Sequence, residues 1–335
     1  MKKIKIWIKY VLLKYNTRKI GFLNKILALR YGFSSDFFYS YNLNKNNIKD
    51  YIPEYKRVLS REIDGEYKFL LDDKIVSTDF FKQYVKIPNI VCIIRNNNFY
   101  IDGKRSDIET VKIELSNGMY VIKPISGGGG HGVHVITNEN GNFCVDFVEQ
   151  TDIKIEDFLS KYSDAIINPF VVQHSYSSEI YHKTVNTIRV VSIIDPLTDD
   201  VCIPFATHRF GTSKTGGVDN ASSGGIFAMI DINSGVIGDA KKFNDNTLFE
   251  VHPDSKSKIK GVKIPNWDTI LNEIKKVASK LSYIPFIAWD IVVTEEGFEV
   301  IELNPSCSLE LFQVFGSIKE SKLWDFYKHY GIVKK

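Results

Sequence analysis

Four cysteines in 335 residues stand at positions 92, 144, 202 and 307, far apart and without the short paired spacings of a zinc ribbon or a redox couple. This pattern excludes a disulfide-stapled scaffold and predicts reduced, mostly buried thiols, so the chain is expected to work in the cytoplasm. Charge of one sign is lacking too: 43 Lys and Arg against 40 Asp and Glu leave a net +3. So small a balance gives no footprint for nucleic acid, and no RNA-binding or zinc-finger signature appears, so nucleic acid is excluded as a partner. With 44% hydrophobic and 25% charged residues, the chain has ordinary globular composition and is long enough for two or three domains.

Acids are absent from the first 35 residues, where nine lysines and arginines precede Asp36. Apolar residues from Ile4 to Leu27 recur among them at spacings near three and four, which favours amphipathic helix. Lysines interrupt every apolar run, so this stretch is too short and too charged to span a bilayer, and it lacks the small-residue cleavage site of a secretory signal. Two readings stand: a helix lying on an anionic membrane surface, or one docked on its own domain with a solvated basic face. Residues 1–60 are accordingly read as a basic helical segment and 61–110 as a small α/β cap with two apolar runs, Pro88–Ile94 and Phe99–Ile101. Within the cap, Asp73-Lys74 opens a helical pattern through Phe80, Phe81 and Tyr84.

Two stretches carry most of the chemistry. In residues 286–305, FIAWDIVVTEEGFEVIELNP, two β-type runs flank Glu295-Glu296-Gly297, which reads as a three-residue hairpin loop. Pairing Thr294 with Phe298 sets Asp290 opposite Glu302, where like charges repel. Asn304, two residues on, shares that face, and three oxygen-bearing side chains suit a hard cation, Mg²⁺ above all. A solvated acidic hairpin face is the alternative.

The second stretch is 118–136, GMYVIKPISGGGGHGVHVI, a strand entering a glycine-rich loop and a second strand leaving it. No helix follows, so this is neither a dinucleotide fingerprint nor a P-loop but a hairpin. Its loop, Ser126, Gly127, Gly128, Gly129, Gly130 and Gly132, can bring backbone N–H groups to phosphate oxygens, with Lys123 supplying charge. The competing reading is a flexible hairpin tip.

Weaker signals fill the gaps. Residues 152–163 show helical spacing, and Phe170–His174 reads as an apolar strand able to read an adenine edge, with Glu179 placed for a ribose. A strand over 185–194 puts Thr187, Arg189 and Val191 on one face, so Arg189 must be paired, either by phosphate or by a carboxylate. A long polar loop, THRFGTSKTGGVDNASSGG, offers Arg209, Asn220, Gly224 and Gly225 as substrate contacts. Helices are expected over 267–281 and 319–330. Ser306 and Cys307 lack an identifiable base and are expected to shape a pocket rather than attack a substrate.

In order, these pieces resemble the ATP-grasp superfamily over about residues 70–315, through Asp73-Lys74, VIKPISGGGGHGV, VVQHSYSSEI, NTIRVV, AWDIVV and VIELNPSCSLE. NTIRVV and GGVDNASSGG look most like the sugar-transfer-associated members. The resemblance implies an α+β ATP-grasp fold, two α+β lobes gripping ATP, with a small lobe at 111–175 and a large lobe at 176–335. It implies that Lys74 and Lys123 hold the ATP phosphates under the 126–132 loop, that Gln173 and His174 line the adenine, and that Glu179 takes the ribose. Arg189 would meet the transferring phosphoryl group, with Asp290, Glu302 and Asn304 on Mg²⁺. Gln173 departs from the Glu that many members carry. The implied activity is ligation of a small carboxylic acid to an amine, such as a nucleotide-linked or lipid-linked amino sugar in bacterial surface polysaccharide synthesis. A small-molecule kinase using the same site is the alternative.

Overall fold

The computed structural model describes residues 2–146, 154–243 and 245–334, and these build two antiparallel seven-stranded sheets. The first contains β1 (Cys92–Arg95), β2 (Asn98–Ile101), β3 (Lys104–Ser106), β4 (Gly118–Pro124), β5 (His134–Glu139), β6 (Asn142–Val145) and β7 (Asp164–Pro169), in the order β3-β2-β1-β7-β4-β5-β6. Strand β7 lies at its centre, pairing Ile167 with Cys92 on one side and with Ile122 on the other. The strands expected in a separate cap over 61–110 are therefore continuous with those of the small lobe. That pairing joins residues some 75 positions apart, which no local pattern announces.

The second sheet holds β8 (Ile188–Ile194), β9 (Val201–Phe210), β10 (Ile226–Ile230), β11 (Ile237–Lys242), β12 (Leu248–Phe249), β13 (Phe286–Thr294) and β14 (Gly297–Asn304), ordered β12-β11-β10-β9-β8-β13-β14. It is covered on both faces, which is why β8 and β13 read as nearly unbroken apolar runs instead of alternating. On one face the helix Trp267–Lys280 seats Ile270, Ile274 and Val277 on Val190, Ile287 and Trp289. On the other, Val191, Phe227, Phe286 and Ala288 pack with Phe33, Phe37, Phe312 and Phe326. Residues 28–52 are thus part of the large lobe's core, and the docked reading holds for that part of the N-terminal segment.

Other expectations are met with adjustments. Asp73 caps the helix Lys74–Phe81 by accepting from the N–H groups of Ile75 and Val76. Helices at 267–280 and Lys322–His329 match the expected spans closely. Of the helix read over 152–163, Ile155–Leu159 is helical, and residues 152 and 153 lie outside the described residues. Phe170–His174 is not a strand: the strand ends at Pro169, and an irregular link crosses to the second sheet, where the His174 N–H donates to the Val293 carbonyl at 2.7 Å.

Candidate active site between the two sheets

The register of the second sheet lines up a row of polar side chains. Thr207 of β9 pairs with Arg189 of β8, Arg189 with Asp290 of β13, and Asp290 with Glu302 of β14. Directly paired residues project from the same face. Val191, Ala288 and Phe286, on the same face further along, belong to the apolar core, so the polar row sits where that core ends.

The predicted pairing of Asp290 with Glu302 is present, but it arises differently. Thr294 pairs with Gly297, making the turn one residue tighter than expected, and a bulge between Asp290 and Ile291 then restores the register. Ile291 faces Val300 and Asp290 faces Glu302, leaving Ile301 outside the ladder. Its carbonyl accepts from Lys123 Nζ at 3.1 Å, so the bulge supplies one contact between the two sheets.

Asp290 is buried to 2% side-chain exposure and has both oxygens occupied. Arg189 donates Nε to Oδ1 and, at 2.8 Å, Nη2 to Oδ2, while Arg209 Nη2 reaches Oδ2 at 3.2 Å. Burial alone would raise its pKa, but the two guanidiniums outweigh it and hold the carboxyl below the usual range. For Arg189 the carboxylate bridge is therefore the arrangement present. Arg209 also donates Nε to Thr187 Oγ1 at 2.9 Å and lies 3.4 Å from Asp219, which accepts the Thr187 N–H at 2.8 Å. Asp219 was not singled out in the sequence, although it lies in the polar loop beside a strand whose arginine needed a partner.

Glu302 is paired with Lys74 at 3.2 Å, and Lys74 also donates to the Gly127 carbonyl at 3.1 Å. Lys123 stands next to this pair. Burial pushes its pKa down to about 8, against the attraction of Glu302 and with the repulsion of Lys74. Around the row, Arg189, Arg209, Lys74 and Lys123 thus face Asp290, Asp219 and Glu302.

The donor set bears on Mg²⁺. Among the described residues no three His, Cys, Asp or Glu side chains converge as a metal centre. Asp290 serves as the anchor of two arginines and has no free oxygen. Glu302 and Asn304 do fit a hard cation: the Asn304 amide has a buried polar atom, Nδ2, with no partner, and an amide flip places its oxygen there. Mg²⁺ commonly takes one or two protein oxygens together with phosphate oxygens, and these two residues would hold it.

The glycine-rich loop lies between β4 and β5 as a hairpin connection. Ser126, Gly127 and Gly128 are exposed, whereas Gly129 accepts from Asn220 Nδ2 and the Gly132 carbonyl accepts from Tyr162 Oη at 3.1 Å. Gly130 has φ +72° and a Cβ there would lie 3.1 Å from Val218 Cγ2. The loop thus rests on the 211–225 loop. Within the latter, Gly225 has the carbonyls of Asp219 and Phe210 2.9 Å from where a Cβ would sit, and Gly224 has φ +109°. Both glycines shape the loop, and Asn220 ties it to the glycine-rich one.

The remaining expected contacts are placed as follows. Gln173 is buried and fully engaged: Oε1 accepts from the Asn186 N–H and Ser177 Oγ, and Nε2 donates to the carbonyls of Thr184 and Tyr181. Its side chain braces the link between lobes and has no hydrogen-bonding atom left for adenine, so an adenine contact would fall to the backbone. His174 caps the helix Ser175–Ile180 and lies 3.1 Å from Glu295, while Glu179 is exposed on that helix. Ser306 is buried and accepts from Arg57 Nη1 at 3.3 Å; Cys307 Sγ accepts from Arg189 Nη1 at 3.5 Å, and burial raises its pKa. Among the described residues neither is hydrogen-bonded to a base that could generate a nucleophile.

The chain is similar to several solved structures. An N5-carboxyaminoimidazole ribonucleotide synthetase in its ADP complex is 11% identical with a TM-score of 0.43, covering 73% of this chain and 48% of its own. A D-alanine–D-alanine ligase from Helicobacter pylori is 15% identical with a TM-score of 0.43, over 76% of this chain and 60% of its own. A D-cycloserine synthetase is 12% identical with a TM-score of 0.41, over 78% and 71%. The chain spans about half the length of the first of these structures. No curated protein sequence matches. The model of the sugar-transfer associated ATP-grasp family matches residues 55–321, which include both sheets and every residue of the polar row, and the chain belongs to that family.

Proposed function

We propose that this chain is an ATP-dependent ligase that phosphorylates a carboxylic acid and lets an amine displace the phosphate, forming a C–N bond with ADP and phosphate as the other products. One observation carries the proposal: Lys74 and Lys123 meet at Glu302 beneath a glycine-rich loop, between two sheets. The depressed pKa of Lys123 marks a positive charge short of counter-charge, which a phosphate would supply. Mg²⁺ held by Glu302 and Asn304 would neutralise charge on the ATP phosphates. Lys74 and Lys123 bind and orient those phosphates, and the loop excludes water above them. The Asp290 clamp fixes Arg189 and Arg209 with further N–H donors beside the reacting groups. No side-chain nucleophile is required, in keeping with the surroundings of Ser306 and Cys307. The family's sugar-transfer association favours an amine on an amino sugar, nucleotide-linked or lipid-linked, in surface polysaccharide synthesis.

The test is a hydroxylamine trap. The full chain with Mg²⁺, ATP, hydroxylamine and a panel of amino acids and other small carboxylic acids should yield ADP and a hydroxamate together for one acid, and Lys123→Met should abolish both. A stable phosphorylated product without hydroxamate would instead identify a kinase, and AMP with pyrophosphate would overturn the ADP-forming scheme.

The loop makes a second expectation. At Gly130 a side chain meets a left-handed backbone and Val218, a conformational cost of about 1–2 kcal/mol, whereas Gly128 has ordinary φ and open space. Gly130→Ala should therefore weaken ATP binding about five- to thirtyfold by calorimetry, while Gly128→Ala stays near wild type. Equal effects at the two positions would show that the loop is only a hairpin tip.

A further inference from the structure

Helix 2–7 continues as a π-helical turn over 8–13, and a second helix spans Phe22–Tyr31. One side of this segment is docked, with Val11 and Ala28 buried and Leu27 packed on the large lobe's core. A helix resting on its own domain needs one apolar stripe, with polar residues opposite. Here apolar side chains also point away from the domain. Ile4, Ile8 and Leu12, spaced by four, are 65%, 38% and 45% exposed, and Phe22, Leu23 and Ile26 are 77%, 79% and 49% exposed.

The same segment carries nine bases and no acid before Asp36. Asp36 itself is buried, and its carboxylate accepts the backbone N–H groups of Thr17 and Arg18 at 2.8 Å each. Lys2 alone of the lysines up to residue 25 forms a salt bridge among the described residues, with Glu62 at 2.8 Å. A second copy of the chain would set this positive surface against itself, which disfavours a symmetric dimer through it. Protein partners are also a poor match, since lysine is depleted from protein interfaces. Apolar rows flanked by lysines are the pattern of helices lying in a membrane interface, where the apolar side chains enter the acyl boundary and the bases meet anionic headgroups. No helix among the described residues is long and apolar enough to cross a membrane.

We infer that residues 2–31 hold this protein on the surface of a bilayer containing anionic lipid. This inference rests on neither the proposed ligation nor the family. Sedimentation of the full chain with vesicles tests it. Binding to vesicles of equal parts phosphatidylglycerol and phosphatidylcholine should be at least about tenfold tighter than to phosphatidylcholine alone, and should weaken in high salt. The double variant Phe22→Ser/Leu23→Ser removes exposed side chains only, so its melting temperature should equal the wild type's while its binding to the anionic vesicles falls at least about tenfold. Wild-type protein that stays in the supernatant with anionic vesicles would overturn the inference, as would a double variant that binds as well as wild type. A concentration-dependent dimer dissolved by the same substitutions would assign the surface to a second copy instead.

Discussion

Asp290→Asn is expected to destabilise the protein by about 3–5 kcal/mol, because it leaves two buried guanidiniums without the charge that compensates them. Asp290 is 2% exposed, Arg189 meets it through two nitrogens and Arg209 through a third. The amide keeps the shape but loses the charge and turns one acceptor into a donor facing arginine. Adding Arg189→Met should recover part of the loss, since the second substitution removes a cation already left unpaired. Denaturant unfolding of the wild type, both single variants and the double variant checks this. A site in which Asp290 merely opposes Glu302 across a metal predicts the reverse sign, with Asp290→Asn neutral or stabilising in metal-free protein. The pH dependence has a definite sign too. The folded pKa of Asp290 lies below its unfolded value, so its contribution is complete above about pH 4 and is lost as pH falls through the folded pKa.

That clamp was half visible in the sequence. An arginine inside the apolar strand IRVVSII demands a partner, and both a phosphate and a carboxylate satisfy that demand. The choice depends on β8 and β13 being neighbours in register, a pairing across about a hundred residues. Asp219 was hidden for a different reason: it lies near Arg209 in the chain, but its loop reads as a substrate loop, and nothing in that pattern shows the loop closing back on the arginine. Features set by neighbours in the chain were more legible. The Asp73 cap follows from an acid before a helical pattern, and the glycine-rich hairpin follows from two β-type runs without a helix between them.

The hairpin of β13 and β14 illustrates how a correct pairing can rest on an incorrect turn. Reading Glu295 to Gly297 as a three-residue loop put Thr294 opposite Phe298, whereas the structure pairs Thr294 with Gly297. A one-residue slip would ordinarily move every later side chain to the other face. The bulge at Ile301 cancels it, and Asp290 still meets Glu302. No sequence pattern marks Ile301 as a bulge, because an isoleucine between Val300 and Glu302 suits an ordinary strand equally well. The consequence was equally out of view: the carbonyl that the bulge releases is the one that receives Lys123.

Glu302→Gln should lower kcat for the proposed ligation by about a hundred- to a thousandfold while leaving the fold intact. Glu302 is 26% exposed and its pair with Lys74 is 3.2 Å long, so losing that pair costs at most about 1 kcal/mol. Its charge matters more to Lys123, whose ammonium is opposed by burial and by Lys74 and supported by Glu302. In the wild type, Lys123 is charged below about pH 8, so ATP binding is at full strength there and weakens at higher pH, by up to about tenfold per unit. Without the Glu302 carboxylate the same loss should begin at lower pH. Lys123→Arg, which stays charged throughout, should flatten the profile and thereby identify the titrating group. Calorimetric titration of ATP from pH 6 to 10 reads the midpoint in all three proteins. A midpoint unmoved by Glu302→Gln would disconnect Glu302 from Lys123, and retained turnover would remove Glu302 from the reaction. A midpoint that falls while turnover is lost would place both residues at the phosphates of ATP.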